Sequence, residues 1–274
     1  MKKQLLALVL ALGMTCVSAV ESENPLSKLD WHMGPASETV GLQATLKTAD
    51  GLMFLDDANS KQFLQLTGNI PESGNNILYS RKGSWWAAFS FNPSGYVKDD
   101  EKIDADELLR NLKSGDEASN EERKRLGISP LTTEGWYVPP HYDTQSKTLE
   151  WGLKLNSEGR TVLNYTVRLL GRSGVMSATL VSDPEHLDED VKAFKAALTG
   201  FTFNSGEKYS EFRDGDKMAA YGLGALIVGG AAAVATKKGF WAVLGGFLVS
   251  AWKVIAVAFV GVGAWLRSLF QKKN

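Results

Sequence analysis

Hydrophobic and polar positions alternate with a period of two through much of the middle of the chain. In "LEWGLKL", Leu149, Trp151, Leu153 and Leu155 fall on one side and Glu150, Gly152 and Lys154 on the other, the pattern of a half-buried strand. "NSEGR" turns the chain, and "TVLNYTVRLL" then places Leu163, Tyr165, Val167 and Leu169 on one face. A second turn at "GRSG" leads to a third strand over 175–181, so 148–181 is predicted to be an antiparallel meander. "SWWAAFSF" reads as another strand, with Trp85, Ala87, Phe89 and Phe91 on one face. "GLQATLKTADGLMFLD" reads as a strand pair turning at Asp50 and Gly51.

The period lengthens to that of a helix in "SDPEHLDEDVKAFKAALTG", where Leu187, Val191, Phe194 and Leu198 form one stripe. Asp183 suits its N-cap, Pro184 its first turn and Gly200 its stop, and 199–203 can add a short strand. "NSKQFLQLTG" suits a short helix ending at Gly68. Asp104 and Glu107 have capping-box spacing before "ELLRNL", and a second helical turn is expected through "ASNEERKRLG". These elements predict an α+β class, an antiparallel sheet with packed helices.

The pattern changes at both ends. Residues 1–19 combine Lys2 and Lys3, an apolar run over 5–12 and the small-residue sequence Val17-Ser18-Ala19, which is the form of a cleaved signal peptide. Residues 20–39 then read as an N-terminal tail, 40–204 as an exported domain and 205–217 as a juxtamembrane linker. The stretch 218–235 carries no charge, and 239–266 is interrupted only by Lys253. Both are long and apolar enough to read as membrane segments, so a helix hairpin is expected to follow the domain, with 267–274 as a basic tail. Ala225, Gly229 and Ala233, then Gly246 and Ser250, recur at the spacing that lets membrane helices approach closely. Lys253 either snorkels to an interface or faces a pore or partner. Lys237 and Lys238 fit a cytoplasmic turn. A second full span would place Arg267, Lys272 and Lys273 outside, against the positive-inside rule, so the side of the C-terminus stays open.

Charge is divided along the same lines. Residues 20–216 hold 21 Lys and Arg against 31 Asp and Glu, a net of −10, whereas 217–274 hold seven basic residues and no acid. An acidic domain has little to offer a phosphate backbone, so nucleic acid is not an expected partner, whereas the basic, apolar end points to a membrane. Cys16 is the only cysteine and departs with the signal. The expected location is a bacterial cytoplasmic membrane, with the main domain on the outer side.

The order of "SGYVKDD", "NEERKRLG", "GWYVPPHYD", "LEW", "LNY", "LGR" and "KMAAYGL" resembles a bacterial family of membrane-anchored proteins whose domain has no assigned function. The resemblance covers nearly all of the mature chain. It implies an exported domain with a C-terminal anchor, and it implies no activity, ligand or site residue.

Candidate chemistry is sparse. In "GWYVPPHYD", His141 and Asp143 stand two apart, so a strand would place them on one face as weak metal candidates. The competing reading is a stiff strand exit at Pro139-Pro140, with Asp143 opening the turn into "KTLEW". Neither Ser84 nor Ser173 sits in a nucleophile elbow, and no phosphate-binding glycine loop appears outside the apolar end. The acidic run 99–107 lacks the alternation of a calcium loop and reads as a solvated helix start. Of Trp85 and Trp86, strand alternation buries one; the other is either a contact anchor for a partner or part of a second buried layer. No cofactor is expected. The reading these features favour is a membrane-anchored envelope protein with an exported binding domain, acting with a protein partner, an envelope component or a second copy of itself. The alternatives are a metal-assisted hydrolase using His141 and Asp143, or a subunit of a membrane transport complex.

Overall fold

The computed structural model describes residues 24–228 apart from Ser84. In chain order the elements are β1 (His32–Met33), β2 (Ala36–Val40), β3 (Ala44–Thr48), β4 (Leu52–Leu55), α1 (Asp57–Leu66), β5 (Asn75–Ser80), β6 (Trp86–Asn92), α2 (Ala105–Arg125) and β7 (Thr132–Asp143). There follow β8 (Thr148–Ser157), β9 (Arg160–Leu170), β10 (Val175–Ser182), α3 (Leu187–Leu198), β11 (Phe201–Phe203) and α4 (Leu223–Ile227). An antiparallel sheet of eight strands runs β1-β4-β5-β6-β10-β9-β8-β7, and a second sheet of three runs β11-β3-β2. The fold is α+β, as the alternation pattern predicts.

One face of the large sheet carries Phe54, Leu78, Ala87, Phe89, Leu163, Tyr165, Val167, Ala178 and Leu180. The small sheet and α3 cover it, adding Val40, Leu46, Leu187 and Phe194 to the same core. The other face is covered at two places. α1 packs Phe63 and Leu64 onto Leu55 and Ile77, while Leu108 of α2 and Leu223, Leu226 and Ile227 pack onto Leu149, Trp151 and Val175. α2 begins as its sequence suggests, Asp104 accepting the Glu107 amide at 2.9 Å, whereas α1 starts at Asp57, ahead of "NSKQFLQLTG", with Asp56 accepting the Asn59 amide at 2.9 Å.

Several expectations need correction. Asp50 and Gly51 do form a turn, with φ +82° at Gly51, but β3 and β4 part into different sheets instead of pairing. Leu46 faces the core between the sheets, and β3 takes β2 and β11 as its neighbours. α2 is one helix of 21 residues, continuous through Gly115. α3 begins at Leu187 with no side-chain cap from His186, because 183–186 are used in a turn. Asp190 in its first turn, buried, accepts the Ser182 hydroxyl at 2.6 Å and ties the helix to the end of β10. Residues 25–39, read as a tail, belong to the fold: His32 pairs with Phe54, and β2 borders β3.

"GWYVPPHYD" lies within β7, a twelve-residue edge strand with three register shifts against β8. Pro139 and Pro140 fall in the last of these, between Val138 and His141, where an edge tolerates residues that cannot donate a ladder bond. The stretch is a broken edge strand, and the turn follows it: the Asp143 carboxylate accepts the Gln145 amide at 2.8 Å.

Among the described residues no helix is long and apolar enough to cross a membrane. Residues 218–228, at the start of the expected first span, pack on the domain, with Met218 bridged to Tyr96. The expected signal sequence, the remainder of the first apolar stretch and all of the second lie outside the described residues.

Candidate functional site

The site begins with a parity. The β8–β9 turn has two residues, Glu158 and Gly159, both with positive φ, so Ser157 pairs with Arg160. Odd positions of β8 therefore stand beside even positions of β9, and Leu149, Trp151 and Leu153 share a face with Arg168, Thr166 and Asn164. β10 adds Ser177 and Thr179, and the Thr166 and Thr179 hydroxyls lie 3.1 Å apart. A polar stripe thus runs between the two apolar clusters on this face. Arg168 lies in it with its guanidinium 5.5 Å from the Trp151 ring centroid, and its Nε has no partner among the described residues. Burial pushes its pKa down to about 10.

At the β8–β9 turn end the stripe opens into a cavity of about 740 Å³. Leu155, Val162, Asn164, Val181 and Trp86 form its floor. The walls are the ends of two helices. α1 ends with Gly68 at φ +71°, with bonds from the Gly68 amide to Gln65 and from the Asn69 amide to Leu64. α2 ends the same way: Gly127 has φ +69°, its amide bonds Lys124, and the Ile128 amide bonds Arg123. Both are Schellman endings, which need a left-handed residue one position beyond the cap.

Arg123, in the last turn of α2, joins these walls. Its Nε donates to the Ser129 carbonyl at 2.6 Å and its Nη2 to the Gly68 carbonyl at 3.3 Å. It is 8% exposed, and among the described residues no carboxylate pairs with it. Burial is what lowers its pKa. On the floor, the Oδ1 of Asn164 is buried without a partner among the described residues. Arg160 stands exposed at the rim. An asparagine and two arginines around an apolar floor can bind and orient a small molecule, and no nucleophile with an adjacent base stands among them.

The residues singled out in the sequence fall differently. Trp86 lines the cavity and packs edge-on to Phe63, with ring centroids 5.2 Å apart. Trp85 is 1% exposed and packs against Phe194, so it offers nothing to a partner. His141 is exposed and stands opposite Glu150 in the register. The Glu150 carboxylate is already taken by the Tyr165 hydroxyl and, at 2.6 Å, by Lys195. Asp143 is spent on its turn, and no three acidic or histidine side chains could hold a metal among the described residues. Ala225 lies in α4; Gly229, Ala233, Gly246, Ser250 and Lys253 lie outside the described residues.

The remaining motifs converge where the chain leaves the domain. Asp99 accepts from Tyr142 and Lys147, both at 2.8 Å. Burial alone raises its pKa, but Lys147 and the tyrosine hydroxyls outweigh that and hold it below the ordinary value. Tyr96 stacks on Tyr209 at 4.3 Å, and its backbone pairs with Lys217 and Ala219. A side chain at Gly95 would meet the Lys217 carbonyl, as one at Gly222 would meet the Glu101 carboxylate. Arg172 grips Asp216 through two bonds, of 2.7 and 2.6 Å, and this holds the Asp216 pKa down to about 2.

A depressed carboxyl contributes stability above its ordinary pKa of 3.8 and loses it only as pH falls through the folded value. The segment after Asp216 is therefore expected to resist pepsin at about pH 3, while Asp216→Asn is cut there measurably faster. Equal cleavage of the two proteins would remove the ion pair from any role in holding this segment.

No curated protein matches the chain. Among solved structures, the solution structure of cyanobacterial PsbP (CyanoP) from Synechocystis sp. PCC 6803 is 14% identical, over 64% of this chain and 92% of that one, with a TM-score of 0.35. A likeness that loose carries no argument here. Residues 32–263 match the model of a family described as "Protein of unknown function (DUF2167)", from β1 through the docked exit and on into the apolar C-terminal stretch, and the chain belongs to that family.

Proposed function

We propose that the protein is a membrane-tethered binding protein of the bacterial envelope, whose outward domain takes a small ligand in the cavity between α1 and α2. The observation that carries the binding reading is the cavity itself, with Asn164 on its floor, whose buried Oδ1 has no partner among the described residues, and Arg123 in its wall, which meets no carboxylate among them. Buried polar groups are rarely left unmade without a compensating partner. The apolar C-terminal sequence supports the tether, and the firm docking of 217–228 supports a domain held close to the membrane.

Full-length protein extracted gently from its host membrane is expected to release a small molecule on denaturation. Val162→Trp, which fills the cavity, is expected to release none. Equal release from both proteins, or none from either, would sink the binding reading. Lys61→Cys, exposed on α1, should react with a membrane-impermeant maleimide in intact spheroplasts; reaction only after lysis would reverse the orientation.

A further inference from the structure

We infer that the ligand of this cavity is an amphiphilic anion, a carboxylate or phosphate ester on a short apolar body, held by Arg123 and Arg160 over the Trp86 floor. The inference rests on the binding reading above and concerns only the ligand's chemistry.

Charge carries it first. The segment 20–216 has ten more acids than bases, yet among the described residues the only charged side chains lining the cavity are Arg123 and Arg160. Two helix C-termini also face this space, each worth about half a negative charge. Two full guanidinium charges exceed them, so the field inside favours an anion.

Geometry carries it further. The bonds to Ser129 and Gly68 hold the Arg123 guanidinium in a fixed plane and leave Nη1 without a protein acceptor among the described residues. A planar, fixed guanidinium is suited to a carboxylate or phosphate. Asn164, on the floor, adds a neutral polar side chain beside that charge. Trp86, Leu155, Val162 and Val181 supply the surface for an apolar body, and the volume is that of a small-molecule site.

The test is calorimetric titration of the full chain in nanodiscs of zwitterionic lipid. The probes are 4-phenylbutyrate, phenyl phosphate, dihexanoyl phosphatidate and the neutral 4-phenylbutyramide. The anions are expected to bind about tenfold or more tightly than the amide. Arg160→Gln, at an exposed position, should weaken them without loss of fold, and Asn164→Asp should abolish the preference by placing a carboxylate on the floor. Tighter binding of phosphatidate than of phenyl phosphate supports the anion reading with a lipid headgroup as the source; the reverse order supports it with a soluble metabolite. Amide and anion binding equally, with Arg160→Gln indifferent, overturns the anion inference while leaving a binding cavity. No probe binding to protein that melts cooperatively overturns the cavity reading itself.

Discussion

A chain ending at Asp216 is expected to lose its cooperative fold, while one ending at Val228 keeps it. Residues 217–228 close one of the two clusters on the cavity face of the sheet. Leu223, Leu226 and Ile227 are buried there against Leu108, Leu149, Trp151 and Val175, and the backbone of 217–219 pairs with Tyr96. Deleting one buried Leu or Ile side chain costs about 2–5 kcal/mol. Three such losses amount to about 6 kcal/mol or more, against a total domain stability of about 5–15 kcal/mol. Urea unfolding followed by tryptophan fluorescence reads this directly. Identical midpoints for the two chains would show that the segment merely rests on the domain.

Phe63→Ala is expected to cost about 3–5 kcal/mol, the largest effect of any single substitution near the cavity. Phe63 is 1% exposed and stands between three rings: Trp31 at 5.9 Å, Trp86 at 5.2 Å and Tyr79 at 6.5 Å. It seats α1 on the sheet and fixes the plane of Trp86 on the cavity floor. Phe63→Leu fills most of the space and should cost about 1.5 kcal/mol or less. Thermal melts of both proteins check the ordering, and a Phe63→Ala protein as stable as the parent would remove the aromatic cluster from its place in the fold.

The strands of the large sheet were legible because alternation survives in them: Leu163, Tyr165 and Val167 are buried, as are Leu149, Trp151 and Leu155. The cavity was not, because alternation within one strand does not say which face of its neighbour lies beside it. The signal that decides this was present in "NSEGR". A two-residue turn at Glu158 and Gly159 forces odd residues of one strand beside even residues of the next, so the sheet has to be apolar on both faces. Asn164, Thr166 and Arg168 then become covered polar positions, where alternation alone suggests a solvated face. Arg123 left no such trace, since one arginine in a charged helix looks like any other until a distant loop, at Gly68, meets it. The helical stripe of α3 was legible, but its start was not, because the Ser182 to Asp190 bond is tertiary.

The broken strand at the sheet's margin has a consequence for how these molecules tolerate crowding. A tether of the kind we propose would confine the domain to a surface, where neighbours meet often and an open row of backbone groups invites lateral accretion. β7 is the long margin of the sheet, and Pro139 and Pro140 supply no amide hydrogen to an arriving strand. Its register shifts also spoil the spacing such a strand has to match. The opposite margin, β1, is two residues long. Neither margin of the large sheet offers a template for fibre growth, so domains crowded on a surface are kept from joining through it.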